Sequence, residues 1–261
     1  MIFNIIATFR NNESYLSNFL LPLLKTLEKD YNFYYYFYEN DSEDNTRSLL
    51  KNFMKGKNGE FKYEDFNSKK HPRNLDPTRV QNIVNARNQY LNLRPYKGEW
   101  SIMIDSDVTF SLSIIDQFLK IKKPKDLVAL GCNGKDSNKC KTNPNDNHFY
   151  DTLGLIDKKN FLGLDFLWKY GFQSCPFEDE DDKNKWFNGE LVKVNSGYGG
   201  VCFFKTEILN KPELKYELKT IKKGIYAPDK ILACEHWDFS EKLRKFGNIY
   251  MCPTIIVRNT E

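Results

Sequence analysis

The stretch 100-WSIMIDSDVTF-110 narrows the choice of fold more than any other part of the chain. Trp100 to Ile104 is an apolar run of strand length, and it stops at two carboxylates with one serine between them. A continuous apolar run belongs to a strand covered on both faces, the environment of a parallel sheet flanked by helices. Burying unpaired charge is costly, so Asp105 and Asp107 belong at the strand's end, on the edge of the sheet. Residues two apart in an extended chain point to the same side. The two carboxylates can therefore converge on one point. A cation satisfies such a pair, and oxygen-only ligands suit Mg²⁺ or Mn²⁺. A D-x-D alone is common by chance, and its weight comes from its surroundings.

Those surroundings alternate. Ile2 to Ala7 reads as a strand, and Leu16, Phe19, Leu20, Leu23, Leu24 and Leu27 recur at helical spacing, with Pro22 expected to kink or divide the helix. The aromatic strand 32-NFYYYFYENDS-42 follows, then a helix from Thr46 to Met54, the turn 56-GKNG-59 and a strand from Phe61 to Phe66. A helix over Arg79 to Leu91 precedes the Trp100 strand; another spans Leu112 to Leu119, ahead of a strand over Leu127 to Cys132. This order predicts an α/β fold with a parallel sheet. The second half is less regular. The segments 134-GKDSNKCKTNPNDN-147 and 178-EDEDD-182 read as solvated loops. After them, 190-ELVKVNSGYGGVCFF-204 predicts strand, glycine loop, strand. A last helix is expected from Asp238 to Phe246, with Asp238 and Glu241 as a capping box. A short strand around Ile249 and an edge strand over 254-TIIVR-258 close the chain.

Charge and cysteine usage exclude several classes. The net charge of +4 comes from 39 basic and 35 acidic residues well interspersed, without the clustered basic face of a nucleic-acid binder. The opening apolar run is far too short for a membrane span and lacks a signal peptide's basic start, so no transmembrane anchor and a cytoplasmic location are expected. Six cysteines show no CxxC pair and no zinc-type spacing, which predicts reduced thiols.

The polar residues gather where the strands end. The first strand runs into Thr8-Phe9-Arg10-Asn11-Asn12, the second into Glu39-Asn40-Asp41-Ser42, and the Trp100 strand into Asp105-Ser106-Asp107. Each cluster has a plain reading as turn or cap, Asn12 as a helix cap among them. In open parallel sheets, however, ligands bind outside the carboxyl ends of the strands, so three clusters at one edge predict a polar crevice. Arg87 falls on the inner face of its helix with Val80, Ile83, Val84 and Leu91. An inward arginine requires a carboxylate or a phosphate: Asp105, a ligand diphosphate, or both at one site. Glu235 and His236 stand just before the last helix. The plain reading of His236 is a satisfied, half-buried histidine, and the functional one is a metal ligand; Glu235 is then a candidate base toward an acceptor hydroxyl. The loop 195-NSGYGG-200 lacks phosphate-loop spacing and is either a tight turn or a surface that a sugar approaches closely, at Tyr198, Gly199 and Gly200. Tyr198, Trp186 and Trp237 are candidate aromatic faces for a pyranose.

Together 8-TFRNNES-14, 38-YENDSEDNT-46, 85-NARN-88 and 104-IDSDV-108 resemble the GT-A class of nucleotide-sugar glycosyltransferases. With 195-NSGYGGVCFFK-205 and 234-CEHWDF-239 added, the pattern resembles the capsule-associated fungal mannosyltransferase family and related glycosyltransferases of large DNA viruses. The likeness runs from about Ile2 to Pro253. It implies a single GT-A-like (Rossmann-like) domain over 1–261: a mixed, mostly parallel sheet flanked by helices, with a nucleotide-sugar half at 1–132 and an irregular acceptor-side half at 133–261. It further implies that Thr8, Arg10 and Glu39 or Asp41 hold base and ribose, and that Arg87 and Asn88 lie beside the diphosphate. Asp107 would bind the metal, with Asp105 and Ser106 near the ribose or donor sugar. The implied activity is transfer of a sugar from a UDP- or GDP-sugar to a glycan, glycoconjugate or other hydroxyl acceptor, with Mn²⁺ or Mg²⁺, in the cytoplasm, that of a virus-infected host included. Fungal relatives carry a membrane anchor and none is expected here, so mannose specificity does not transfer. Two other readings stay open. A sugar-1-phosphate nucleotidyltransferase would show a glycine-rich loop after the first strand, and Thr8 to Ser14 has no glycine. A non-catalytic carbohydrate-binding protein on the same fold would have no need of a diphosphate site.

Overall fold

Strand β1 (Ile2–Phe9) is the middle of a parallel block. It pairs with β2 (Asn32–Asn40) on one side and β4 (Trp100–Ile104) on the other, and β3 (Gly59–Glu64) extends the block beyond β2. The structure is a computed structural model that describes residues 1–67, 77–136, 149, 151–171, 173–221 and 232–259. Crossover helices join the parallel strands. The first comprises α1 (Glu13–Tyr15), a π-helical turn at Leu16–Leu20 and α2 (Leu21–Leu27). The others are α3 (Thr46–Met54) and α4 (Pro77–Leu91). Pro22 does not break the first crossover; it sits in the first turn of α2, where its missing N–H is tolerated, and the helix widens into the π turn just before it.

Past β4 the direction alternates. The strands β5 (Val108–Phe110), β6 (Leu127–Asp136), β7 (Ile156–Asp157), β8 (Val192–Ser196), β9 (Val201–Lys205) and β12 (Asn248–Asn259) complete a ten-stranded sheet, ordered β3-β2-β1-β4-β9-β6-β12-β8-β7 with β5 on β12. Here β9 is antiparallel to both β4 and β6, while β6 and β12 are parallel. A separate ribbon pairs β10 (Lys219–Ile221) with β11 (Leu232–Cys234). Five further helices complete the described elements: α5 (Ile114–Lys120), α6 (Gly163–Tyr170), α7 (Glu180–Phe187), α8 (Thr206–Leu209) and α9 (Glu235–Leu243). None of the described helices is long and apolar enough to cross a membrane.

The pleat divides the core between the two faces. Phe3, Ile5, Ala7, Ile102, Ile104 and Phe203 meet Leu16, Leu20, Leu24, Leu50 and Phe118 on one face. Ile6, Met103, Cys202 and Phe204 meet Val84, Tyr90, Leu91, Phe239 and Leu243 on the other. Each fully buried Leu or Phe removes enough apolar surface from water to stabilise the fold by roughly 1.5–3 kcal/mol. Asn4 is the exception on β1. It is buried, donates to the hydroxyls of Ser101 and Thr206 and accepts the Gly98 N–H, so three neighbouring segments are tied through one side chain.

Three local expectations change. The tail 254–258 is not an edge strand, because β12 runs on past a bulge between Cys252 and Ile256, with β6 on one side and β5 on the other. The last helix starts at Glu235, not Asp238. Asp238 therefore lies inside the first turn and pairs with Lys242 one turn on, and Glu241 pairs with Lys219; no capping box forms. The acidic run 178–182 is also not a loop. Asp179 caps α7 by accepting the Asp182 N–H, and the following acids complement the helix dipole. Beyond Asp136, the 134–147 segment falls outside the described residues.

Candidate functional site

The reversal at β9 builds the site. Because β9 runs against β4, its first residue, Val201, stands opposite Ile104, the last residue of β4. The glycine loop leading into β9 is thereby delivered to the D-x-D, and the Asp105 N–H donates to the Gly200 carbonyl at 2.9 Å. Only glycine fits at 199. Its φ is +74°, and a Cβ there would stand 1.9 Å from the Cys132 carbonyl oxygen on β6.

Arg87 reaches the same place from α4. It is 7% exposed, donates from Nη2 to Asp105 Oδ1 at 2.8 Å and from Nε to Glu235 Oε1 at 3.2 Å, and lies 3.4 Å from His236 Nε2. The Tyr198 and Tyr216 rings flank the guanidinium, with centroids 5.3 and 5.7 Å away. Tyr198 also stacks on His236 at 4.4 Å. Burial works to strip Arg87 of its proton, yet Asp105 and Glu235 hold its pKa well above the ordinary value. Burial pushes Glu235 up, but His236 and Arg87 outweigh it and the carboxyl sits below its usual range. Burial lowers the His236 pKa, which leaves Arg87 as the permanent cation of the group. One guanidinium thus serves two acids at the end of β4 and the start of α9.

The other expected residues divide between this centre and the loops around it. Asp107 is half-buried; Tyr15, whose hydroxyl donates to the Val108 carbonyl at 2.8 Å, has its pKa raised by burial and then by the charges of Asp107 and Asp105. Asn12 does not cap its helix through its side chain. Its Nδ2 donates to the Ser106 carbonyl and its Oδ1 accepts the Arg10 N–H, which ties the loop after β1 to the D-x-D. Arg10 lies 3.9 Å from Asp41, and Thr8 stands in register with Tyr38 near the end of β1. Asp41 accepts the N–H groups of Phe66 and Asn67. Glu39 is fully buried, paired with Arg47 and accepting the Ser42 N–H, so its carboxylate is turned into the fold and not toward a ribose. Asn88 exchanges two hydrogen bonds with the Tyr216 backbone, fixing the ring that flanks Arg87. Trp186 and Trp237 are buried and donate to the Ser174 and Leu153 carbonyls, so neither offers a face to a sugar.

The sequence reading missed Asp151 and Tyr216. Asp151 Oδ2 accepts the Gly199 N–H at 2.7 Å, and Oδ1 accepts the Gly154 N–H at 3.4 Å. Burial, followed by the charges of Asp105 and Glu235, pushes its pKa up to about 7 against the pull of those two amides. A D-x-x-G turn was the only signal, and it marks a loop, not a site. Among the described residues no three of His, Cys, Asp and Glu already surround one point. The oxygen-only pair Asp105 and Asp107 does fit a hard divalent cation, while His236 Nε2 stands 3.4 Å from both Arg87 and Glu235.

The mixed, mostly parallel sheet flanked by helices matches the GT-A fold of the nucleotide-sugar glycosyltransferases. Solved structures show the likeness over essentially the whole chain. S. aureus TarS (residues 1–349) superposes with a TM-score of 0.54 at 13% identity, covering 100% of this chain and 60% of that one. GalNAc-T7 with UDP, GalNAc and Mn²⁺ gives 0.54 at 14%, covering 99% and 44%. The mannosyltransferase PcManGT from Pyrobaculum calidifontis, with GDP-Man and Mn²⁺, gives 0.51 at 12%, covering 99% and 56%. The chain therefore spans less than two thirds of each of these proteins. No family model and no curated protein matches it.

Proposed function

We propose that this protein is a glycosyltransferase that moves a sugar from a nucleoside-diphosphate sugar, UDP- or GDP-linked, to a hydroxyl of a glycan or glycoconjugate. The observation that carries the reading is the buried Arg87 held by Asp105 and Glu235 at the carboxyl edge of a GT-A sheet. Breaking the bond between a sugar and its diphosphate leaves negative charge on the departing group, and a preorganised cation in a water-poor site favours that charge most where it develops. Arg87 is such a cation: charged, clamped between rings and fixed by two acids. Asp107 and Asp105 would hold Mn²⁺ or Mg²⁺, which supplies Lewis-acid stabilisation to the same leaving group. The neighbours support the donor class, since TarS has been solved with UDP-GlcNAc and PcManGT with GDP-Man and Mn²⁺. The finer resemblance to the fungal mannosyltransferases and their viral relatives rests on the sequence motifs.

The test is calorimetric titration of UDP- and GDP-sugars with and without Mn²⁺, on wild type and Asp107→Asn. The expected result is Mn²⁺-dependent binding of one donor, weakened roughly 100-fold in the variant, as the loss of several kcal/mol of metal-mediated attraction requires. Unchanged affinity in Asp107→Asn would sink the metal assignment. Carbohydrate binding without any nucleotide would favour a non-catalytic protein. Joining of a sugar phosphate to a nucleoside triphosphate would favour a nucleotidyltransferase.

A further inference from the structure

Two carboxylates outside the D-x-D face the site, and their surroundings fit them for different work. Glu235 is buried, with Arg87 Nε on one oxygen and His236 against the same oxygen. A carboxylate already committed to a permanent cation is a poor proton acceptor, because taking a proton would leave Arg87 short of a partner in a buried place. Asp151 is only half-buried, and no cation among the described residues pairs with it. It accepts one N–H on each oxygen, from Gly199 and Gly154. An ionised carboxylate has about four acceptor positions, so room remains on both oxygens for a hydroxyl.

Its location is fixed from three sides. The Gly199–Gly200 segment bridges it to the D-x-D, since Gly199 donates to Asp151 while Gly200 accepts from Asp105. Two residues further along its own loop, the Leu153 carbonyl accepts from Trp237, next to His236 on α9. The titratable groups that bear on it are Asp105 at the end of β4, Glu235 on α9, and the buried thiols of Cys202 on β9 and Cys234 on β11. Asp151 therefore stands between the two ends of the Arg87 cluster.

We propose that Asp151, and not Glu235, is the proton acceptor for the incoming hydroxyl in an inverting transfer, with Glu235 holding Arg87 in place. The proposal rests on the glycosyltransferase reading. In the step, the acceptor O–H gives its proton to an Asp151 oxygen while the oxygen lone pair forms the new bond to the anomeric carbon. The old bond from that carbon to the diphosphate oxygen breaks, and its electron pair leaves with the nucleoside diphosphate. The proton then passes from Asp151 to solvent. Burial and the neighbouring carboxylates raise the Asp151 pKa to about 7, which suits an acid–base group working near neutrality.

The experiment uses the full chain with Mn²⁺ and two probe donors, UDP-GlcNAc and GDP-mannose. It follows release of nucleoside diphosphate to water or to a panel of monosaccharides, alongside donor affinity by calorimetry. Asp151→Asn and Asp151→Ala are expected to lose roughly 10²- to 10⁴-fold in kcat with donor affinity within about twofold of wild type. Added formate, a small carboxylate, should restore part of the Asp151→Ala rate and none of the Glu235→Gln rate. The first product seen by proton NMR should have the inverted anomeric configuration. Glu235→Gln should weaken donor binding as well as turnover. Should Asp151→Asn fail to fold, Asp151→Ser, whose hydroxyl still accepts from Gly199, carries the same comparison. An Asp151 variant turning over at wild-type rate, formate rescue confined to Glu235→Gln, a retained anomer, or donor binding without turnover would each overturn the assignment. Absence of any donor binding by wild type would instead overturn the parent reading.

Discussion

Two arginines at the same edge of the sheet show how differently a buried acid can be accommodated. Arg47 lies on α3 and pairs with Glu39, eight residues earlier in the chain, and with Asp65, 18 residues later. Each acid there has donors of its own: Glu39 takes the Ser42 N–H as well, and Asp65 is 62% exposed to water. Among the described residues Arg87 is the one permanent cation paired with both Asp105 and Glu235, and Glu235 is 148 residues away. The first cluster is a local clasp that closes the loops after β2 and β3. The second exists only when α4, β4 and α9 come together. A clasp in which every group is satisfied has little left to offer a ligand. A cluster in which one cation serves two acids, flanked by the Tyr198 and Tyr216 rings, is poised to exchange one partner for another.

The largest test of that contrast compares Arg87→Met with Arg47→Met. Loss of Arg87 leaves two carboxylates facing each other without a cation, and breaking such a buried pair costs about 3–5 kcal/mol. Loss of Arg47 strands one buried carboxylate, Glu39, with a single N–H donor, and leaves Asp65 in water, so it should cost about 3 kcal/mol, the low end of the same range. Urea unfolding of the two variants measures both; equal losses would erase the distinction. Pairing Arg87→Met with Glu235→Gln should recover part of the stability, since the remaining carboxylate no longer faces a second one.

A smaller effect concerns Asp151 and pH. Its folded pKa of about 7 lies above the ordinary 3.8, so the folded chain holds a proton that the unfolded chain has already released. Stability therefore falls as pH rises from about 4 to about 7 and stays lower above that. Asp151→Asn removes this dependence. The variant should melt close to wild type at pH 4 and several degrees higher at pH 8, with the separation growing between those limits. A separation that does not change with pH would show that Asp151 is not raised. The expected gain at neutral pH, set against the loss of turnover proposed above, is the stability cost commonly found at working sites.

The smallest effect is expected at Asp238. Its i,i+4 pair with Lys242 lies within the first two turns of α9, away from the cap position. Asp238→Ala should cost about 0.5 kcal/mol, as i,i+4 helix pairs do, and leave donor binding unchanged. A loss well above 1 kcal/mol would instead suit the capping role that the sequence pattern suggests.

Much of the frame was legible in the sequence because it is written in local periodicity. The apolar runs at Ile2, Phe33 and Trp100 became β1, β2 and β4, and Val80, Val84 and Leu91 marked the buried face of α4 and turned Arg87 inward with them. The pairing of Arg87 with Asp105 followed from that orientation and from the cost of leaving an inward cation unpaired. The 254–258 segment shows where this reading ends. Alternation identifies a strand, but whether the strand lies at an edge depends on partners supplied by β5 and β6, 100 or more residues earlier in the chain. Glu39 makes the same point for a site residue: its place in the motif suggested a ligand contact, and Arg47 on the next helix claimed it.

The sequence by itself determined the parallel half of the sheet, the acids at the end of β4 and the inward arginine, since each follows from spacing and from the cost of burying charge. Tertiary structure alone decided that β9 runs antiparallel to β4 and so brings Gly199, Gly200 and Tyr198 to those acids. It also set α9 against α4 so that Glu235 meets Arg87, and placed Asp151, an unremarked residue of an irregular loop, beside Gly199. The physical reason is the range of the forces involved. Periodicity and capping act within a few residues along the chain, whereas a shared cation and a raised carboxyl pKa arise only among groups that folding has brought together in a water-poor place.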